Sequence, residues 1–188
     1  MSIRRLLPAA LCVLLPAVAS ADQYVIETHH TYPSLEMSHM GISIWRGKFN
    51  KSSGKVTLDR KAKTGTVDIA VETASVDFGH DEMNKHAVAE DWLNAARYPV
   101  MNYKGQLKFS GDTPSTIDGQ LTMRGVTRPV TLKINSFTCI DHPFYKKEVC
   151  GADAEGQLDR ADFGMTQYTD NGAGKITIKV QVEAIREG

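Results

Sequence analysis

The sequence predicts an all-β fold, an antiparallel barrel with one short helix covering an end. Three observations carry this. The dominant hydrophobic period is two: Val67, Ile69 and Val71 alternate with Thr66, Asp68, Ala70 and Glu72, and Ile176, Ile178, Val180, Val182 and Ala184 alternate with Lys175, Thr177, Lys179, Gln181 and Glu183. Such segments are half-buried antiparallel strands, apolar on one face and wet on the other. Turn signals punctuate them at Ser52-Ser53-Gly54, Gly111-Asp112-Thr113-Pro114 and Asn171-Gly172-Ala173-Gly174. Finally, the stretch Thr73–Pro99 interrupts the alternation once, with a strand that runs into a helix and a turn before Tyr98-Pro99 launches the next strand.

In chain order, the first element is an export leader. Arg4 and Arg5 form a positive start, Leu6–Val18 is an apolar run, and Ala19-Ser20-Ala21 fits a cleavage site, so residues 1–21 are expected to be a removed signal peptide and residues 22–188 one domain. The apolar run is too short to span a bilayer. Leu35, Met37 and His39 share one phase, and Gly41 then breaks it before Ile42 and Ile44, which marks a bulge or barrel corner. Weaker alternation follows at Val56/Leu58, Met101/Tyr103/Leu107/Phe109, Ile117/Leu121/Met123 and Val130/Leu132/Ile134, for about nine or ten strands in all. The helix belongs at 81–89: Asp81 and Glu82 suit its first turn, and Met83, His86, Ala87 and Glu90 share a stripe. Only Met83 and Ala87 on that stripe are apolar, so Trp92-Leu93 is expected to anchor the helix as a lid.

Charge and cysteine usage narrow the function. Removing residues 1–21 from 188 leaves 167 residues, enough for a real core, with 20 basic against 22 acidic side chains. A net charge of −2 is no footprint for nucleic acid or an anionic membrane. Cys139 and Cys150 remain after the leader, and an even pair in an exported chain predicts a disulfide, here pinning a loop over 137–150.

Many alternating strands favour a closed barrel over a sandwich, because closure removes exposed edges. Ala152, Ala154 and Gly156 lie in phase with Leu158, and Gly105 and Gly119 fall on the apolar phase of their strands. Small inward residues leave volume that a ligand could occupy, unless larger residues opposite fill it. Met37, Met83, Met101, Met123 and Met165 would suit a flexible chain, or serve as ordinary core filler.

These landmarks together resemble the YceI-like family of exported proteins. They are Ser38-His39-Met40-Gly41, Gly47-Lys48-Phe49, Thr73-Ala-Ser-Val-Asp77, Lys85-His86, Asp91-Trp92-Leu93-Asn94, Tyr98-Pro99, Gly119-Gln-Leu-Thr-Met-Arg-Gly-Val-Thr-Arg-Pro-Val130 and Asp162-Phe163-Gly164. The resemblance implies an extended lipocalin-like barrel whose tunnel holds a polyisoprenoid or isoprenoid quinone, with no covalent cofactor. The chain departs from the family at the helix, where the usual Arg-Asp-Lys-His-Leu run is Glu82-Met83-Asn84-Lys85-His86-Ala87 and the usual Phe pair after it is Trp92-Leu93. The expected tunnel lining is Leu35, Met37, His39, Ile42, Ile44, Val67, Ile69, Met83, Ala87, Trp92, Leu93, Met101, Tyr103, Phe109, Leu121, Leu132, Ala154, Gly156, Phe163 and Ile178.

The expected role is non-covalent carriage or sequestration of an isoprenoid lipid in the periplasm or outside the cell, with transient contact to a membrane or lipid donor and a dimer among the expected assemblies. Catalytic constellations are thin: there is no Gly-x-Ser-x-Gly elbow, phosphate loop or His-Glu-x-x-His. An alternative is a lipid-modifying enzyme using His39 or His86 as base with Asp77 or Asp91. An outer-membrane barrel is disfavoured, since most strands are nearer seven residues than the nine to eleven it needs. None of the six histidines pairs at i, i+4 spacing, so no metal centre is expected, and Arg160 is expected to form a rim ion pair with Asp162.

Overall fold

The computed structural model describes residues 21–188. The expected signal peptide, residues 1–21, therefore lies outside the described residues apart from Ala21. Eleven strands and one helix follow in order: β1 (Asp22–Ile26), β2 (Tyr32–His39), β3 (Ser43–Phe49), β4 (Ser52–Asp59), β5 (Thr64–Glu72), β6 (Val76–Asp77), α1 (Asp81–Ala87), β7 (Val100–Ser110), β8 (Thr113–Met123), β9 (Val126–His142), β10 (Lys147–Asp159) and β11 (Lys175–Arg186). Short 3-10 turns cover Thr73–Ser75 and Arg160–Phe163.

Every pairing is antiparallel. Eight strands form a ring in the order β1-β4-β5-β7-β8-β9-β10-β11, closed where Tyr24, Val25 and Ile26 pair with Arg186, Ile185 and Ala184. The long β11 outruns β1, and β2 takes over the same edge, from Tyr32 opposite Gln181 to Met37 opposite Ile176. β3 and β6 continue that wall from β2. This handover elongates the barrel.

Turn chemistry fixes the register. Between β8 and β9 the two-residue link Arg124-Gly125 has φ of 51° and 74°, both positive as a tight hairpin of matching twist requires. Gly41 is not a bulge within a strand. It sits at φ 76° in the β2–β3 hairpin, beside Met40 at φ 55°, with the Ile42 amide donating to the His39 carbonyl. Its phase break is a chain reversal, so Ile42 and Ile44 face solvent at 80% and 48% exposure.

The disulfide forms as expected, but not across an irregular loop. Cys139 and Cys150 lie directly opposite on β9 and β10, with Cα atoms 4.0 Å apart, and both strands continue beyond them to His142 and Lys147. β8 pairs with β9 only as far as Lys133, so the outer part of this hairpin projects past the ring. Phe137, Cys139 and Cys150 pack there onto Tyr24, Leu58 and Leu107, which closes one end of the barrel. Arg60 and Glu148 pair at 3.0 Å above this cluster, and the Tyr24 hydroxyl donates to Glu148 at 2.5 Å. Burial and the neighbouring Glu148 push the Tyr24 phenol up to about 12.

Candidate functional site: an apolar cavity within the barrel

A cavity of about 230 Å³ runs through the interior. The alternation of each strand builds its wall: Leu35 and Met37 from β2, Val67, Ile69 and Val71 from β5, Met101 and Tyr103 from β7, Ile117, Leu121 and Met123 from β8, Val130 and Leu132 from β9, and Ile176, Ile178, Val180 and Val182 from β11. Phe49, Val76, Phe78, Ala87, Trp92, Leu93, Met165 and Arg160 close the end beneath α1. The lining is almost wholly hydrocarbon; Thr31, Ser34 and Asn102 are its uncharged polar contributors and Arg160 its one charged side chain.

Twelve expected tunnel residues line this cavity: Leu35, Met37, Val67, Ile69, Ala87, Trp92, Leu93, Met101, Tyr103, Leu121, Leu132 and Ile178. Eight do not. Ile42 and Ile44 point outward for the reason given above. His39 keeps the phase of Met37 but lies beyond the cavity, stacked on Trp45 with ring centroids 4.3 Å apart. Met83 lies half-buried on α1 without reaching the lining. Phe109 keeps the inward phase of Leu107 but lies near the end of β7, in the packed cluster with Tyr24 and Leu58. Phe163, 1% exposed, is core behind the wall.

Ala154 and Gly156 correct an inference as well as two positions. Ala154 packs against Val130 and Leu132. A Cβ at Gly156 would fall 2.7 Å from the Leu132 side chain, one at Gly119 within 2.6 Å of the Tyr103 ring, and one at Gly105 2.8 Å from Ile117. The small residues are thus sockets for large neighbours rather than the origin of empty space.

Tyr103 shows the socket principle. Its ring crosses β8 over Gly119, and its hydroxyl donates to the Val130 carbonyl at 2.8 Å and the Ile117 carbonyl at 3.2 Å. Burial raises its phenol well above the ordinary value. It is a neutral part of the wall.

Arg160 was expected at the rim, paired with Asp162. It is instead 2% exposed and donates to backbone carbonyls alone: Nε to Ala173 (2.9 Å), Nη1 to Met165 (2.8 Å), and Nη2 to Gln167 (2.5 Å) and Tyr168 (2.8 Å). Its guanidinium lies 4.7 Å from the Trp92 ring. Periodicity cannot find a buried cation that binds carbonyls, so the sequence carried no signal for this role. Burial pulls its pKa down, yet the guanidinium remains charged.

Two polar anchors hold the lid. Arg124, from the β8–β9 turn, donates to the carbonyls of Glu90 and Trp92. The Asp77 carboxylate accepts from the Gly79 amide (2.8 Å) and from the side-chain amides of Asn84 (3.0 Å) and Asn50 (3.3 Å), which hold it below the usual carboxylate range. His80 caps α1 by accepting from the Met83 amide. His86 contacts the Trp92 ring, centroids 5.1 Å apart. Neither His39 nor His86 is hydrogen-bonded to Asp77 or Asp91 among the described residues, so the geometry assembles no base dyad.

Fold and cavity define a class: a closed antiparallel barrel with an apolar interior beneath a short helical lid. The chain belongs to the YceI-like family, whose YceI-like domain matches residues 24–184. It is 31% identical over 181 residues to a UPF0312 protein of Shewanella denitrificans, covering 93% of each chain. It is 31% identical over 173 residues to Protein YceI of Escherichia coli, covering 91% of this chain and 90% of that one. Among solved structures, a polyisoprenoid binding domain from Saccharophagus degradans superposes with a TM-score of 0.61 at 11% identity, over 87% of this chain and 98% of that domain.

Proposed function

We infer that the protein binds a long-chain isoprenoid lipid, a polyprenyl chain or isoprenoid quinone, and carries or sequesters it in the periplasm without modifying it. The observation that carries this reading is the cavity wall, hydrocarbon along its length. An isoprene unit of five carbons gains about 4 kcal/mol on leaving water, at about 0.8 kcal/mol per buried CH₂. Several units supply more than ordering the chain costs, so affinity needs no strong polar contact. The polyisoprenoid-binding neighbour supports the ligand class, and the leader-like residues 1–21 support the compartment.

The test is organic extraction of freshly purified protein followed by mass spectrometry. A prenyl lipid from the wild type and its loss from a folded Met37→Trp variant are expected. An extract without prenyl lipid, or an equal load in Met37→Trp, would overturn the reading.

A further inference from the structure

Where β1 hands over to β2, residues 27–31 bridge the barrel seam opposite β11. Glu27 in this link is buried, at 6% exposure, although it is an acid at a strand junction. One of its oxygens, Oε2, lies 2.7 Å from His30 Nδ1, and the other, Oε1, lies 2.8 Å from His29 Nδ1. From the far side of the seam, Glu183 on β11 brings its Oε2 to 4.0 Å from the same His30 nitrogen. One ligand atom each from Glu27, His30 and Glu183 falls within 4.8 Å of the others. No lysine or arginine pairs with Glu27 or Glu183 among the described residues; their ion-pair partners are the two histidines alone.

Two carboxylates and an imidazole nitrogen that converge on one point, without a fixed cation, form a negative donor set of mixed nitrogen and oxygen. That set suits a borderline divalent transition metal rather than Ca²⁺ or Mg²⁺, which prefer oxygen alone. Two further side chains face Glu27, His29 and Tyr145, placed as supporting partners would be. His29 donates to the second oxygen of Glu27 and fixes the carboxylate plane, the usual work of groups just outside a metal's own ligands. The adjacent backbone amides of His29 and His30 also donate to Glu27, which orients it further. The other trio of this kind, Cys139, Glu148 and Cys150, has both sulfurs committed to the disulfide.

We propose that Glu27, His30 and Glu183 form a seam site for Zn²⁺ or a chemically similar ion, with His29 orienting Glu27. The ion would take the place of the proton between His30 and Glu27 and clip the β1–β2 link to β11. Glu27, His30 and Glu183 do not themselves line the lipid cavity.

The test uses tag-free, EDTA-treated full-length protein titrated with ZnCl₂, read by calorimetry and native mass spectrometry. One ion per chain is expected, with a rise in melting temperature. Millimolar CaCl₂ should not compete. His30→Ala and Glu183→Gln, both on partly exposed side chains, should each weaken binding about tenfold or more and abolish the thermal shift. His39→Ala, at the far end of β2 and stacked on Trp45, should leave zinc binding unchanged. Absence of stoichiometric zinc, or binding retained in His30→Ala and Glu183→Gln, overturns the proposal.

Discussion

Replacing Gly119 by Ala tests the socket on which the cavity wall depends. Gly119 faces inward on β8 between Ile117 and Leu121, with Val130 opposite it on β9. An added Cβ would lie 2.3–2.6 Å from three atoms of the Tyr103 phenol. The backbone itself tolerates alanine, and Ala in a strand gains about 0.5–1 kcal/mol over Gly. Against this, the ring must leave, which forfeits its hydroxyl bonds to Val130 and Ile117, about 1 kcal/mol. Overpacking adds about 1–3 kcal/mol. The net expectation is a loss of about 2 kcal/mol, or roughly 4–8 °C in melting temperature for a domain of this size. In a Tyr103→Leu background the obstacle is gone, and Gly119→Ala should be neutral or slightly stabilising. Urea midpoints of the four proteins complete the cycle, with a coupling energy of about 2 kcal/mol expected. A cost below 0.5 kcal/mol, or the same cost in both backgrounds, would refute the reasoning. The displaced ring also enters the cavity, so Gly119→Ala should lower the load of extractable lipid.

Arg160→Met strips the carbonyls of Ala173 and Met165 of their buried donor, at about 1–3 kcal/mol each, so a urea-measured loss of about 2–6 kcal/mol is expected and less than 1 would contradict the role assigned. Cys139→Ser with Cys150→Ser opens a short hairpin closure worth about 3 kcal/mol; the melting temperature should fall while lipid load at 25 °C holds, since neither cysteine lines the cavity. The depressed pKa of Asp77 sets the sign of a pH effect. Its contribution is complete above the unfolded value of about 4 and is lost as pH falls through the lower folded value, so hydrogen-exchange protection over 80–88 should drop there before that of the strands. Asp77→Asn should show weakened protection already at pH 7, and identical exchange in both proteins would count against the lid anchor.

Much of the fold was legible because strand periodicity reports burial directly. Val67, Ile69 and Ile178 line the cavity in the phase their neighbours dictated, and Val71, Ile176, Val180 and Val182, omitted from the expected lining, carry the same signal. The helix was recognised from its acidic first turn and lost period, and it ends at Ala87, two residues short of the expected 89. What failed were features decided by partners far away in sequence. Ile42 and Ile44 alternate with their own neighbours after the phase break, but the turn at Met40-Gly41 sets them on the outer face. Phe109 keeps its inward phase but lies at the filled end with Leu107, Tyr24 and Leu58, past the cavity. Glycine positions marked where interior volume is sensitive, yet only the cross-strand partner reveals that Tyr103 or Leu132 occupies it. Arg160 reads as a surface residue until the carbonyls of 165–173 are folded around it.

The seam has a consequence for assembly. β11 joins β10 on one side and both β1 and β2 on the other, across some 150 residues of intervening chain. Contacts of that sequence separation form slowly. Without β11 the ring would stand open between β10 and β1, and the apolar lining that Ile176, Ile178, Val180 and Val182 complete would be an uncovered trough, so the cavity exists only once that strand is in place.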